Sequence, residues 1–209
     1  YKDDSIGCVV LRGAGKCFSA GHDLADIAEG EAVPSRGWHS ETLRLMERLP
    51  KPVIAAVHGH CYTGALEVAL AADFIIAAES ARFGDTHAKW ALTPIWGMSQ
   101  RLPRRVGIAT AKRLMFTAEM IRADEAFRIG LAEMIVPDAE FDAAIEKLAG
   151  QITENSAFSH AANKRLLEAT DARDMDSGLQ WEILNNEGVG PDMQARIGAF
   201  TGKSPKAKT

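Results

Sequence analysis

Glu67 is the one charged residue in an otherwise apolar stretch of helical character, residues 65–72. A helix that is apolar on every side belongs in a protein core. A carboxylate placed there must be paired, protonated or used in chemistry, because burying an unpaired charge is very costly. A buried carboxylate with a perturbed pKa is a candidate catalytic acid or base. A structural carboxylate bound to an arginine or to backbone groups is the alternative, and the local sequence does not separate the two.

The loop that precedes this helix supplies a second group that can do chemistry. Residues 59–64 read GHCYTG, and Gly64 stands three positions before Glu67. The first amide groups of a helix have no partner within the helix, and glycine lets a ligand approach the backbone closely. Residues three apart lie on one face of a helix, so an anion held by the Gly64 amide would sit beside Glu67. Such a preorganised donor lowers the barrier of an oxyanion-forming reaction by roughly 3–4 kcal/mol.

Two further segments are weaker candidates. Residues 15–24 are rich in small residues, and Asp23 can cap whatever helix follows. His87 titrates near neutral pH and could act as an acid or base, although a lone loop histidine is more often a plain hydrogen-bonding group.

Composition excludes several other classes of function. A net charge of −4 over 209 residues gives no electrostatic footprint for nucleic acid. The six histidines lack the spacing of a metal site, no phosphate-binding loop is present, and no segment reads as a membrane span or signal peptide. The odd number of cysteines (Cys8, Cys17 and Cys61) favours a reducing compartment, which we take to be the cytoplasm.

The elements that must position these groups follow from hydrophobic patterning. Short apolar runs predict strands at 6–11, 53–57, 74–77 and 134–136. Helical spacing predicts helices at 36–49, 64–72, 109–116 and 123–129, and then at 139–149, 159–169, 175–186 and 192–200. Alternation of strands and helices indicates an α/β body with a mainly parallel sheet over 1–137. A helical C-terminal region over 138–200 and a flexible tail over 201–209 complete the predicted organisation.

Taken together, several blocks of this chain resemble the crotonase superfamily, the enoyl-CoA hydratase/isomerase family. The blocks lie in the family's order over nearly the whole chain, and they are 18–24 (FSAGHDL), 51–59 (KPVIAAVHG), 64–69 (GALEVA), 81–84 (ARFG), 100–107 (QRLPRRVG), 123–126 (ADEA) and 130–132 (GLA). The resemblance implies a superhelix of ββα turns, with a C-terminal helical region used for trimerisation and with trimers that often pair into hexamers. Family members usually carry a further N-terminal segment with a β-hairpin, which we expect to be missing from this chain.

The resemblance also implies a substrate and a set of site residues. The substrate would be an acyl thioester of coenzyme A, and neither a metal nor another cofactor would be needed. The amides of His22 and Gly64 would form the oxyanion hole, and Glu67 falls on the first of the family's two catalytic glutamates. Contacts with the acyl group or the coenzyme are expected from the loops around these positions, at Ala20, His22, Asp23, Leu24, Thr63, Gly64, Thr86, Pro94 and Ile95.

The main departure is at the second catalytic glutamate, where this chain has His87. The predicted reaction is hydration of a trans-2-enoyl-CoA or its reverse, with Glu67 and His87 as the catalytic pair. Double-bond isomerisation, hydrolysis of an acyl-CoA or a β-diketone, and a catalytically silent CoA-binding protein stay open as alternatives. Trp90 and Trp96 either shape the acyl pocket or belong to the core, and core is the preferred interpretation.

Overall fold

A computed structural model describes residues 1–30 and 32–202, and its strands are short. In chain order the strands within these residues are β1 (Val9–Arg12), β2 (Val53–Val57), β3 (His60–Tyr62), β4 (Phe74–Ala78), β5 (Arg82–Gly84), β6 (Ile121–Arg122) and β7 (Met134–Val136). They form two sheets, one of four strands and one of three.

The α-helices of the described chain fall into a group within the α/β body and a group after β7. The first group is α1 (Leu24–Glu29), α2 (Trp38–Glu47), α3 (Gly64–Leu70), α4 (Met98–Val106), α5 (Ile108–Thr117) and α6 (Ala123–Arg128). The second group is α7 (Phe141–Thr153), α8 (Ala157–Leu167), α9 (Met175–Asn185) and α10 (Met193–Thr201). None of the helices in the described chain is both long and apolar enough to cross a membrane.

The larger sheet is parallel throughout, with the order β1-β2-β4-β7. Its central strand β2 is buried along its whole length, which is why its sequence is a continuous apolar run and not an alternating one. Alternate residues of β2 face opposite layers: Val53 and Val57 pack with the helices of the body, whereas Ile54 packs with α7. The sheet is thus covered on both faces, as expected for a parallel α/β architecture.

The smaller sheet places the loop before Glu67. Strand β3 pairs in parallel with β5, and β5 pairs antiparallel with β6. A parallel bridge joins Ser19 to Cys61, the middle residue of β3. The 15–24 segment and the 59–64 segment are therefore brought side by side, directly ahead of helix α3.

The α/β class predicted from the sequence is confirmed, and strands β2 and β7 have the predicted bounds. The predicted first strand was placed too early, because pairing with β2 begins only at Val9. The interpretation of 59–64 as a plain loop was wrong: residues 60–62 form β3, which is held by its two neighbours and not by its own composition. Helices α1 and α4 were not predicted, and α4 contains Pro103 in an otherwise basic stretch.

The C-terminal helices differ in how they pack. Helix α7 buries Phe141, Ile145 and Ile152 against the large sheet, whereas α8, α9 and α10 have no buried residue. These last helices carry a set of exposed apolar side chains, which are Leu167, Met175, Leu179, Ile183, Leu184, Ile197 and Phe200. The predicted tail begins inside α10, since Thr201 is the last residue of that helix, and residues 203–209 lie outside the described residues.

Candidate active site

Glu67 lies in the buried helix α3 and is only 1% exposed to solvent. Its Oε1 atom accepts hydrogen bonds from the backbone N–H groups of Trp96 at 3.0 Å and Met98 at 2.9 Å. Burial raises the pKa of Glu67 above its ordinary value, although the hydrogen bond from Met98 and the charge of His87 act in the opposite direction. The backbone therefore holds one carboxylate oxygen, and the other remains directed toward the histidine.

His87 faces Glu67, with 3.9 Å between the His87 Nε2 atom and the Glu67 Oε2 atom. The Nδ1 atom on the other side of the ring lies 2.5 Å from Oδ1 of Asp85, which is 1% exposed. Burial acts to lower the pKa of His87, but the Asp85 hydrogen bond and the charges of Asp85 and Glu67 outweigh it, so the pKa is raised. A carboxylate, an imidazole and a second carboxylate thus form a continuous line into the site.

The two amides expected to form an oxyanion hole belong to segments that lie against each other. Gly21 has a φ of +112°, a backbone conformation that residues with side chains rarely adopt. A Cβ atom added there would lie 2.9 Å from Tyr62 O and 3.8 Å from Gly64 N. The bridge between Ser19 and Cys61 fixes this approach. The structure therefore brings the segment of His22 to the segment of Gly64, beside Glu67.

Thr63 holds Gly64 in place through a strained backbone. Its φ of 53° is positive, which is unfavourable for a β-branched residue and costs of order 1–3 kcal/mol. The Thr63 N–H donates to Gly84 O at 2.8 Å, and its hydroxyl shares a 2.5 Å hydrogen bond with the hydroxyl of Thr86. The Thr86 N–H also donates to Thr63 Oγ1, at 3.1 Å. These bonds keep a conformation that threonine would otherwise avoid.

The site opens into a cavity of about 450 Å³. Most of the residues predicted to contact the substrate line it, together with both predicted catalytic residues: Ala20, His22, Leu24, Thr63, Gly64, Glu67, Thr86, His87 and Ile95. Asp23 is not among the lining residues and instead caps helix α1, where its carboxylate accepts the Ala25 N–H at 2.8 Å. Pro94 is also not a lining residue, although Thr93 and Ile95 on either side of it are.

Trp90 and Trp96 line the cavity, so the preferred interpretation of both as core residues was wrong. Trp90 is 53% exposed. The Trp96 ring stacks on His39 with 4.5 Å between ring centroids and lies 5.2 Å from the His22 ring. A Cβ atom added at Gly64 would come within 2.7 Å of the Trp96 ring. The ring therefore forms a wall directly over the Gly64 backbone.

Two residues of the site, Asp85 and His39, were not predicted from the sequence. Asp85 is two positions from His87, and an Asp-x-His spacing ahead of a turn was a usable signal. His39 lies on α2, and its stacking on Trp96 depends on the tertiary fold. Among the described residues, no group of three His, Cys, Asp or Glu side chains is arranged to hold a metal ion.

The chain is similar to known proteins in sequence and in structure. The family model described as enoyl-CoA hydratase/isomerase matches residues 1–197. The short-chain-enoyl-CoA hydratase of Clostridium acetobutylicum is 37% identical over 184 residues, which are 86% of this chain and 70% of that protein. The crystal structure of enoyl-CoA hydratase from Bacillus anthracis has a TM-score of 0.87 and 34% identity, covering 98% of this chain and 82% of its own.

A Thermobifida fusca protein crystallised in complex with acetoacetyl-CoA is also similar, with a TM-score of 0.80 and 28% identity over 95% of this chain and 81% of that one. The family match covers the Gly21–His22 and Thr63–Gly64 segments as well as the Glu67 and His87 positions. The chain therefore belongs to the enoyl-CoA hydratase/isomerase family and has its crotonase-type α/β fold.

Proposed function

We propose that this protein is an enoyl-CoA hydratase that adds water across the double bond of a short-chain trans-2-enoyl-CoA, or removes it in the reverse direction. The proposal depends on one observation: the side chains of Glu67 and His87 lie 3.9 Å apart and line the same cavity as Gly64. The similarity to a short-chain-enoyl-CoA hydratase supports both the reaction and the short acyl group.

The proposed oxyanion hole consists of the amides of His22 and Gly64. The thioester carbonyl accepts hydrogen bonds from both, and these bonds strengthen as negative charge develops on its oxygen. This pairing of segments is supported by the backbone of Gly21, where an added Cβ atom would lie 3.8 Å from Gly64 N. Loss of one such donor typically lowers kcat by roughly 10²–10³.

Glu67 is the proposed general base. With Oε1 held by two backbone amides, Oε2 is the atom left to take a proton from a water molecule as its oxygen attacks Cβ. His87 then supplies the proton that Cα requires, and the carbonyl reforms. The reaction is redox-neutral, and these side chains handle each proton, so we propose that it needs no cofactor beyond the coenzyme A carried by the substrate.

The proposed substrate contacts come first from residues that line the cavity, which are Ala20, His22, Leu24, Thr63, Gly64, Thr86 and Ile95. Asp23 and Pro94, which lie next to lining residues in the same loops, are also proposed to contact the substrate. The exposed apolar side chains of helices α9 and α10 support assembly into a homotrimer or a dimer of trimers. The cysteines of the described chain are free thiols, which supports a cytoplasmic location.

The test is incubation with crotonyl-CoA while the absorbance of the conjugated double bond is followed. We expect loss of absorbance and formation of 3-hydroxybutyryl-CoA, and a drop in kcat of roughly 10²–10⁴ for Glu67→Gln. Glu182→Gln, at an exposed position of α9, is the matched control. Product from a 3-enoyl-CoA or from thioester hydrolysis, without hydration of crotonyl-CoA, would assign isomerase or hydrolase activity instead. Coenzyme A binding without turnover of any of these would identify a silent family member.

A further inference from the structure

Asp85 is a buried carboxylate, and within the described residues its ion-pair partner is His87. It follows strand β5. Its Oδ1 atom lies within hydrogen-bond distance of the His87 ring Nδ1 atom, at 2.5 Å, and accepts a hydrogen bond from the His87 backbone N–H at 3.2 Å. Within residues 1–30 and 32–202, no lysine or arginine forms an ion pair with it. A carboxylate that is 1% exposed needs such compensation, because an unpaired buried charge is very costly.

We propose that Asp85 is a positioning residue that holds the His87 ring with Nδ1–H toward itself and Nε2 toward Glu67. The inference deepens the proposed function and rests on it, since it explains how a histidine can serve at this position. Asp85 itself lies behind the imidazole and is not among the residues that line the cavity.

The hydrogen-bonding capacity of each group determines the orientation of the ring. An ionised carboxylate only accepts hydrogen bonds, so the His87 nitrogen next to Asp85 must be the one that donates. In the neutral ring the Nε2 atom is then the free acceptor, and in the charged ring it is the donor that faces Glu67. A rotated ring would leave Asp85 buried against a carbon atom, so the contact selects one orientation.

This orientation closes the proton cycle of the proposed hydration. Glu67 takes one proton from water as the oxygen forms its bond to Cβ. The charged His87 gives its Nε2 proton to Cα: the electron pair of the enolate C=C bond forms the new Cα–H bond, and the carbonyl reforms. Glu67 then passes the proton from water to the neutral Nε2 atom across the 3.9 Å gap. The net change is addition of one water molecule, and both side chains return to their starting state.

If Asp85 only supported the backbone turn, a variant that keeps its backbone hydrogen bond should behave like the unmodified protein. Asp85 also accepts the backbone N–H of His87, at the start of the 3₁₀ turn His87–Trp90. In Asp85→Asn the side-chain oxygen can keep that backbone bond, but the negative charge that favours the protonated ring is lost, and the amide can offer either a donor or an acceptor to Nδ1, so the tautomer is no longer fixed. This variant therefore separates support of the turn from positioning of the imidazole.

The first measurement is nitrogen NMR of ¹⁵N-histidine-labelled protein, with His87→Gln used to assign the signal. In the unmodified protein we expect the neutral ring to carry its proton on Nδ1, and a ring that carries it on Nε2 would overturn the proposal. This readout needs no substrate, so it remains decisive if crotonyl-CoA is not turned over, an outcome that would remove the proposed function alone.

The second measurement compares Asp85→Asn in two backgrounds with crotonyl-CoA as substrate. In the native background we expect kcat to fall at least about tenfold, with KM changed much less. In the His87→Gln background the same substitution should have no further effect, because there is no ring left to position. Asp138→Asn, at an exposed position after β7, is the matched control. Equal losses in both backgrounds, or an unchanged kcat with folding confirmed by the NMR spectrum, would overturn the proposal.

Discussion

The Oε2 atom of Glu67 lies 3.9 Å from the Nε2 atom of His87, whose Nδ1 atom on the other side of the ring contacts Asp85. The pKa of each is raised: that of Glu67 by burial, and that of His87 by Asp85 and Glu67 against the opposing effect of burial. Two groups this close titrate as a unit, so their apparent pKa values belong to the pair. Over a range of pH the pair holds one proton, which is the state that the proposed hydration requires.

The pH dependence of kcat/KM, which reports the acid and base of the free enzyme, should therefore be bell-shaped. Activity needs Glu67 ionised, and the raised pKa places the acid limb above the ordinary value of 4.5. Activity also needs a protonated His87, and its raised pKa places the alkaline limb above the ordinary value of 6.5. Initial rates with crotonyl-CoA across the pH range measure both limbs, and His87→Gln should remove the alkaline one. An alkaline limb that persists in this variant would assign it to another group.

Glu67→Gln should change how stability depends on pH. Because the folded-state pKa of Glu67 is raised, its contribution to stability is fully present below 4.5 and is lost as the pH rises through the folded value. Glutamine does not ionise, and its carbonyl can keep the bonds from Trp96 and Met98. The variant should gain in Tm relative to the unmodified protein as the pH rises.

Thermal unfolding at acidic and alkaline pH checks this, since 1 kcal/mol corresponds to roughly 2–4 °C in a chain of this length. Glu182→Gln is the control, because that side chain is exposed. A constant difference in Tm at every pH would show that the effect of Glu67→Gln does not come from ionisation.

The sequence was sufficient for the parts of the molecule that local patterns determine. Strand β2 and the unusual position of Glu67 could be predicted because the buried residues around them are apolar in the sequence. Strand β3 is not visible, because its three residues are fixed by pairing with β5 and by the bridge to Ser19. The same holds for the wall of the site. Trp96 lies 29 positions from Glu67, and its packing against Gly64 depends on the whole path of the chain between them.

Thr63 should prove important for catalysis through its hydroxyl group. Thr63→Val keeps the branched shape but removes both hydrogen bonds with Thr86, so the strained backbone before Gly64 loses its support. We expect kcat for crotonyl-CoA to fall at least tenfold, up to the roughly 10²–10³ that follows loss of an oxyanion donor. Thr63→Ser keeps the hydroxyl and should retain most of the activity. Equal activity of the two variants would show that the hydrogen bonds with Thr86 do not orient the site.

The exposed apolar face of α9 should be buried between subunits in solution. Ile183 is 76% exposed in the isolated chain, and a charge there would be desolvated in a subunit interface at considerable cost. Ile183→Glu should shift the mass measured by light scattering after size exclusion from a trimer or hexamer toward the monomer. Asn185→Glu adds the same charge on the opposite side of the same helix and is the control. If Ile183→Glu keeps the native mass, this side chain lies outside the interface.

Trp96 should limit the length of the acyl group. Its backbone N–H binds Glu67, whereas its ring covers Gly64 and stacks on His39. Trp96→Ala removes the ring and leaves the backbone bond, so it enlarges the cavity without releasing the catalytic carboxylate. Because a single methylene group in an apolar pocket changes specificity by roughly 10–200-fold, we expect the ratio of kcat/KM for decenoyl-CoA over crotonyl-CoA to rise at least tenfold. Trp96→Phe, which keeps a smaller ring in place, should give an intermediate ratio. An equal loss of kcat/KM on both substrates would mean that the ring supports the site as a whole and does not select the length of the substrate.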